Sequence, residues 1–130
     1  NAGLFSTARD VARVYQMLLN GGEIDGQRYL SKETCQLFTT ETSKISRRGL
    51  GFDKPDADDP KKGNCAPAAP AEVYGHTGFT GTCAWVDPMN ELVYVFLSNR
   101  IYPDVTNRKL NQLHIRERIQ GAIYDAMKKK

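Results

Sequence analysis

Apolar residues recur at three- and four-residue spacing from Ala8 to Leu19. Ala8, Val11, Ala12, Tyr15, Leu18 and Leu19 fall on one face of a helical wheel. Ser6 and Thr7 precede this stripe, and Asp10 stands three after Thr7, the spacing of a capping box. Asn20-Gly21-Gly22 follows with residues that tolerate positive φ. The pattern predicts a helix over about residues 7–19. Ile24-Asp25-Gly26-Gln27 reads as a tight turn, and Ser31 caps a shorter helix near 32–40. Gly49-Leu50-Gly51-Phe52 reads as a short strand. From Asp53 to Pro70 periodicity disappears, and Asp, Pro, Lys, Gly and Ala dominate. That composition predicts a mobile surface loop.

Beyond residue 70 the spacing changes. Ala71–His76, Thr82–Val86 and Leu92–Ser98 read as strands, separated by a Gly-rich reversal at Gly78–Gly81 and by Asp87-Pro88-Met89-Asn90. Links this short demand an antiparallel meander. Leu92–Ser98 is nearly all apolar, as in a strand covered on both faces. After Pro103, a long helix is expected from Thr106 or Asn107 to about Lys128, with Ile115, Ile119, Ala122, Ile123 and Ala126 packing on the sheet. The fold class is α+β, an antiparallel sheet flanked by helices. Its expected parts are a helical segment with a short strand (1–52), a loop (53–70), a three-stranded meander (71–98) and a terminal helix (106–128), together a single partial domain. One tension stands out. Leu92–Ser98 reads as central but has one obvious neighbour, so its other edge is expected to pair with something or to drive self-association.

Composition narrows the classes of function. The 130 residues are 40% hydrophobic and 25% charged, ordinary soluble values, with a formal charge of +3 owed largely to the Lys128–Lys130 tail. That tail reads as a solvated end. No apolar run is long enough to span a bilayer. Arg9, Arg13, Arg47 and Arg48 form no stripe interleaved with aromatics, which argues against nucleic acid as a partner. Cys35, Cys65 and Cys83 have wide, unrelated spacings and no CxxC, so no metal site and no cofactor are expected. Cys83 reads as a small buried hydrophobe. Only His76 stands where it could activate that thiol. The first residue is not Met, so the start reads as cut and the compartment is not legible.

The candidate chemistry lies at His76-Thr77-Gly78-Phe79-Thr80-Gly81-Thr82. A His-Thr-Gly at a strand edge, followed by a glycine-containing reversal, can hold a carboxylate or acyl group against backbone N–H donors. Thr80-Gly81-Thr82 reads as hairpin chemistry, and His114 as a solvated or half-buried helix residue. Asp87 and Asn90 read as turn formers, Trp85 and Tyr94 as core aromatics, and Ser98-Asn99-Arg100 as a strand end near the cleft. No segment supplies both a nucleophile and its base, so the chain reads as half of an active site.

The ordered set AGLFSTARDVARVYQMLLNGG, GLGF, GHTGFTGT and LVYVFLSNR, followed by a terminal helix, resembles the C-terminal part of the serine β-lactamase-related family, which includes class C β-lactamases, D-alanyl carboxypeptidases and related esterases. The resemblance runs over essentially the whole chain, and Gly75-His76-Thr77-Gly78 carries it most specifically. It implies a larger sheet, with N-terminal strands flanking Leu92–Ser98, and Ser-x-x-Lys and Tyr-x-Asn motifs upstream. Neither motif is found in this sequence: Ser31-Lys32 and Ser43-Lys44 have the wrong spacing, and Tyr124-Asp125 lies in the terminal helix.

The resemblance also implies roles. His76 assists proton handling and substrate carboxylate binding, Thr77 offers its hydroxyl to that carboxylate, and Gly78 lets the substrate approach the backbone. Phe79 gives its backbone N–H to an oxyanion hole completed by the upstream serine. The function expected is a part of a serine acyl hydrolase, inactive by itself. Its substrate is a peptide or ester rather than a β-lactam, because His stands where most β-lactamases have Lys. A non-catalytic module binding cell-wall peptides or a partner strand is the alternative. By the same resemblance, a periplasmic or extracellular location is favoured.

Overall fold

The structure is a computed structural model that describes residues 3–40, 45–59 and 63–128. Ser43 and Lys44, and the end of the lysine tail, lie outside the described residues. Helix α1 spans Ala8–Leu19, and the Thr7 hydroxyl at its N-cap accepts the Asp10 N–H at 3.2 Å. A two-stranded hairpin, β1 (Glu23–Ile24) with β2 (Gln27–Arg28), turns at Asp25 and Gly26, both at positive φ. Helix α2 spans Lys32–Thr39 and is capped by Ser31, whose hydroxyl accepts the Thr34 N–H at 3.1 Å. The serine of Ser31-Lys32 is therefore committed to structure.

Strands β3 (Tyr74–Thr77), β4 (Cys83–Asp87) and β5 (Leu92–Phe96) form an antiparallel sheet in that order. His76 pairs with Ala84 and Thr77 with Cys83. On the far side Trp85 pairs with Tyr94. Strand alternation sorts the side chains into two faces. On one, Tyr74 meets Phe52 edge-on at 5.4 Å, and Phe52 meets Tyr15 of α1 at 6.3 Å. On the other, Cys83, Trp85 and Tyr94 join Cys65 and Val73 in the core, with Phe96 and Ile123 packed against them.

The structure corrects several expectations. The strand covered on both faces is β4, buried at all five positions. In β5 only Tyr94 is buried, and among the described residues no strand pairs with its outer edge. Gly49–Phe52 is not a strand. The backbone pairing falls one residue later, where Asp53 bridges Gly75. The segment read as a surface loop buries Asp53, Lys54, Cys65 and Ala66. Charge misleads there because Asp53 is satisfied internally: its carboxylate accepts from Arg47, Asn64 Nδ2 at 2.8 Å and the Lys54 N–H.

The expected terminal helix is two helices, α3 (Lys109–Gln112) and α4 (Ile115–Met127), broken at His114, whose φ of 49° is left-handed. The buried face of α4 is Arg116, Gln120 and Tyr124, with Ile123 half-buried, while Ala122 and Ala126 face solvent. Polar ends rotate the stripe. Gln120 Oε1 accepts the Ala66 N–H at 2.8 Å, and the Arg116 carbonyl accepts the Tyr94 hydroxyl at 3.1 Å.

Candidate active site

Alternation along β3 determines where each backbone group points. Gly75 N–H donates to the Asp53 carbonyl at 3.0 Å and the Gly75 carbonyl accepts the Asp53 N–H at 2.7 Å, so Gly75 faces the outer edge of the strand. Residues 74 and 76 then face β4, and Gly78 N–H closes that ladder on the Thr82 carbonyl at 2.8 Å. Thr77 and Phe79 are left facing the same outer edge as Gly75. Asp53 occupies the edge at Gly75 and no further. The Phe79 N–H finds no acceptor among the described residues.

The side chains sit around this open edge. His76 is exposed, and its Nδ1 lies 2.6 Å from the Thr77 carbonyl. A carbonyl can only accept, so Nδ1 carries the proton and Nε2 is left for other partners. Thr77 is half-buried, and the Phe79 ring is 70% exposed. Gly78 also has a close neighbour within the chain. A Cβ there would stand 2.3 Å from Thr82 Oγ1, so the close neighbour is the hairpin's own return strand.

The structure thus places His76, Thr77, Gly78 and Phe79 in sequence at the end of β3, with the backbones of Thr77 and Phe79 facing its outer edge, and the other candidates do not share that edge. Cys83 pairs with Thr77 and lies in the core, where burial pushes its thiol up to about 11. A thiol so disposed is a poor nucleophile at neutral pH. Burial likewise raises Cys65, to about 12. Among the described residues no group of three His, Cys, Asp or Glu side chains could hold a metal ion. A separate cavity of ≈ 340 Å³, lined by residues including Cys65, His114, Glu117 and Gly121, includes none of residues 76–79.

Two contributors to the edge escaped the sequence reading. Asp53, within a segment that looked solvated, anchors β3 at Gly75. Arg100, read as part of a strand end, lies with its guanidinium carbon 4.9 Å from the centroid of the Phe79 ring. The pairing of a turn aromatic with an arginine just beyond β5 was the available signal for the second.

The chain is thus an α+β unit whose His-Thr-Gly strand lies beside a backbone donor with no acceptor among the described residues. The Beta-lactamase family model matches residues 1–117, and the chain belongs to that family. Relatives bearing the name "Putative D-alanyl-D-alanine carboxypeptidase" include one from Escherichia coli O157:H7, 35% identical over 111 residues, covering 85% of this chain and 25% of that protein. Another, from Escherichia coli strain K12, is 34% identical, with 85% and 25% covered. A third, from Salmonella agona strain SL483, is 34% identical, with 85% and 26% covered. The chain spans about a quarter of the length of these curated relatives.

Proposed function

We propose that this chain supplies the substrate-binding and oxyanion-stabilising strand of a serine acyl hydrolase acting on peptides or esters through a covalent acyl-enzyme. The names of its relatives favour a peptide ending in D-alanine. The observation that carries this reading is the Phe79 N–H, without an acceptor among the described residues, on the edge that also presents Thr77.

In this reading the serine and lysine come from polypeptide outside the matched residues. The serine hydroxyl adds to the scissile carbonyl carbon, and its proton passes to the base. The carbonyl oxygen becomes an oxyanion, met by the Phe79 N–H and the serine's own N–H. Collapse expels the amine or alcohol, which takes up the proton, and leaves an ester on the serine. Water then repeats the addition and releases the acid. Each preset donor is worth about 3–4 kcal/mol to the tetrahedral state. The Thr77 hydroxyl and His76 Nε2 stand on the strand for the substrate carboxylate, and His76 for proton handling.

Acylation tests this reading. The whole protein should form a stoichiometric serine adduct with a fluorescent phosphonate and cleave an acyl-D-alanyl-D-alanine peptide, whereas the 130-residue chain alone should do neither. No adduct and no cleavage by the whole protein would overturn the reading, as would a stoichiometric adduct on the 130-residue chain alone.

A further inference from the structure

The free donor sits at the tip of the β3–β4 hairpin, residues 79–81, whose turn is closed from within by the Gly81 N–H on the Gly78 carbonyl at 2.9 Å. The tip is held from outside, by the segment that follows β5. Arg100 N–H donates to the Thr80 carbonyl at 2.9 Å, and the Ser98 hydroxyl donates to the same oxygen at 3.2 Å. Gly81, at a φ of +95°, lies so near this segment that a Cβ would stand 2.6 Å from Ser98 Oγ and 3.3 Å from Arg100 Cγ. Over Phe79 lies the Arg100 guanidinium, whose one hydrogen bond among the described residues is a long one, 3.4 Å to the Val105 carbonyl. Three consecutive tip residues are thus each met by Ser98 or Arg100.

We propose that Ser98 and Arg100 clasp the hairpin tip and set the pose of the Phe79 N–H, which makes Arg100 a positioning residue for the oxyanion donor. The proposal rests on the reading of Phe79 given above. Its logic is that of a lever. The Phe79 ring is 70% exposed, so core packing does not orient it, and the guanidinium face does. Ring and amide belong to one residue, so holding the ring limits the swing of the N–H. Charge on the substrate oxygen develops only in the transition state, so a misdirected donor lowers kcat and leaves KM nearly alone.

The test uses the whole protein with Arg100→Gln, Arg100→Lys, Ser98→Ala and Phe79→Ala, assayed on a neutral ester and on a peptide with a free carboxylate. Arg100→Gln is expected to lower kcat about tenfold on both substrates, with KM changed less than about twofold. Arg100→Lys, which keeps the cation, should restore most of the rate, and Ser98→Ala should lower kcat in the same sense. Once Phe79→Ala has removed the ring, adding Arg100→Gln should cost less than about twofold more. A rise in KM confined to the carboxylate substrate would make Arg100 a substrate contact and overturn the proposal. So would independent, multiplying effects of the Phe79 and Arg100 changes.

Should the wild-type protein form no acyl-enzyme, the hydrolase reading fails by itself, and the clasp is then judged by NMR with ¹⁵N-phenylalanine. Arg100→Gln and Ser98→Ala should each shift or broaden the Phe79 amide signal while melting temperature stays near wild type. Superposable Phe79 signals would overturn it.

Discussion

The two turns of the meander use their polar groups in opposite ways. At the β4–β5 turn, Asp87 is 1% exposed and its carboxylate is saturated. Oδ1 accepts the Met89 N–H at 2.9 Å and the Asn90 N–H at 3.1 Å, and Oδ2 accepts Asn90 Nδ2 at 2.7 Å and the Tyr124 hydroxyl at 2.8 Å. At the β3–β4 turn, the Thr80 carbonyl is shared by two donors, yet the Phe79 N–H has no acceptor among the described residues. One turn spends every lone pair on holding itself and α4 in place. The other fastens its outside and keeps one donor unspent at a strand edge. An unspent donor next to solvent costs little, since water satisfies it, and it becomes useful once a substrate displaces that water.

The largest expected effect lies at the saturated turn. Asp87→Ala removes the acceptor of four donors and leaves the Tyr124 hydroxyl, on a side chain only 5% exposed, without its partner. Urea unfolding of the whole protein should show a loss of about 3 kcal/mol. Tyr124→Phe, which removes one donor and keeps the ring, should cost only about 1 kcal/mol. Equal losses from the two changes would mean that Asp87 acts through α4 alone and that the turn holds itself.

Activity rather than stability should respond at the other turn. Replacing the Gly78–Phe79 amide by an ester deletes the Phe79 N–H and keeps the side chains. If the two turns differ as described, this change lowers kcat by about 10²-fold or more and moves the unfolding midpoint very little. A large loss of stability with unchanged kcat would show that the donor was a structural one and erase the contrast.

The saturated turn and the open one were unequally legible in the sequence. Asp87-Pro88-Met89-Asn90 announces a turn, but nothing in it announces that Tyr124, 37 residues later, donates to Asp87. The helix caps were legible because a cap is local: Thr7 meets Asp10, and Ser31 meets Thr34. The meander was legible because short links leave one topology open. The burial of Asp53 was not, since its partners Arg47 and Asn64 read one at a time as solvated charge and loop. Nor was the break at His114, because the apolar spacing of the terminal segment runs past it. At the candidate site, the motif named the residues His76 to Phe79. Which amides face outward depends on the register with β4 and on the Asp53–Gly75 bridge, and both are tertiary.

The smallest expected effect compares what lies beneath each turn. Cys83 begins β4 below the open turn. Cys65 lies near the saturated one, close enough to bear on the Tyr124 phenol, which burial first and then Asp87 push up. Burial raises the Cys83 thiol to about 11 and the Cys65 thiol to about 12, against 9.0 for an unburied thiol. Below pH 9 both thiols are protonated, folded or unfolded, and their burial is fully stabilising. Above it the unfolded chain loses these protons while the folded chain keeps them, so stability falls as pH rises towards the folded values. The loss is about 1.4 kcal/mol per pH unit for each thiol once the unfolded group is ionised. Melting temperatures between pH 8 and 9.5, below the range where tyrosines dominate, should therefore decline in the wild-type protein. The decline should be shallower in Cys65→Ala and in Cys83→Ala, whatever the cavity left by each costs at neutral pH. Of the two, Cys83 titrates first, so its contribution should level off near pH 11 while that of Cys65 continues. A wild-type profile that stays flat would place both thiols in contact with water, and alkylation of both by iodoacetamide at pH 8 would confirm it.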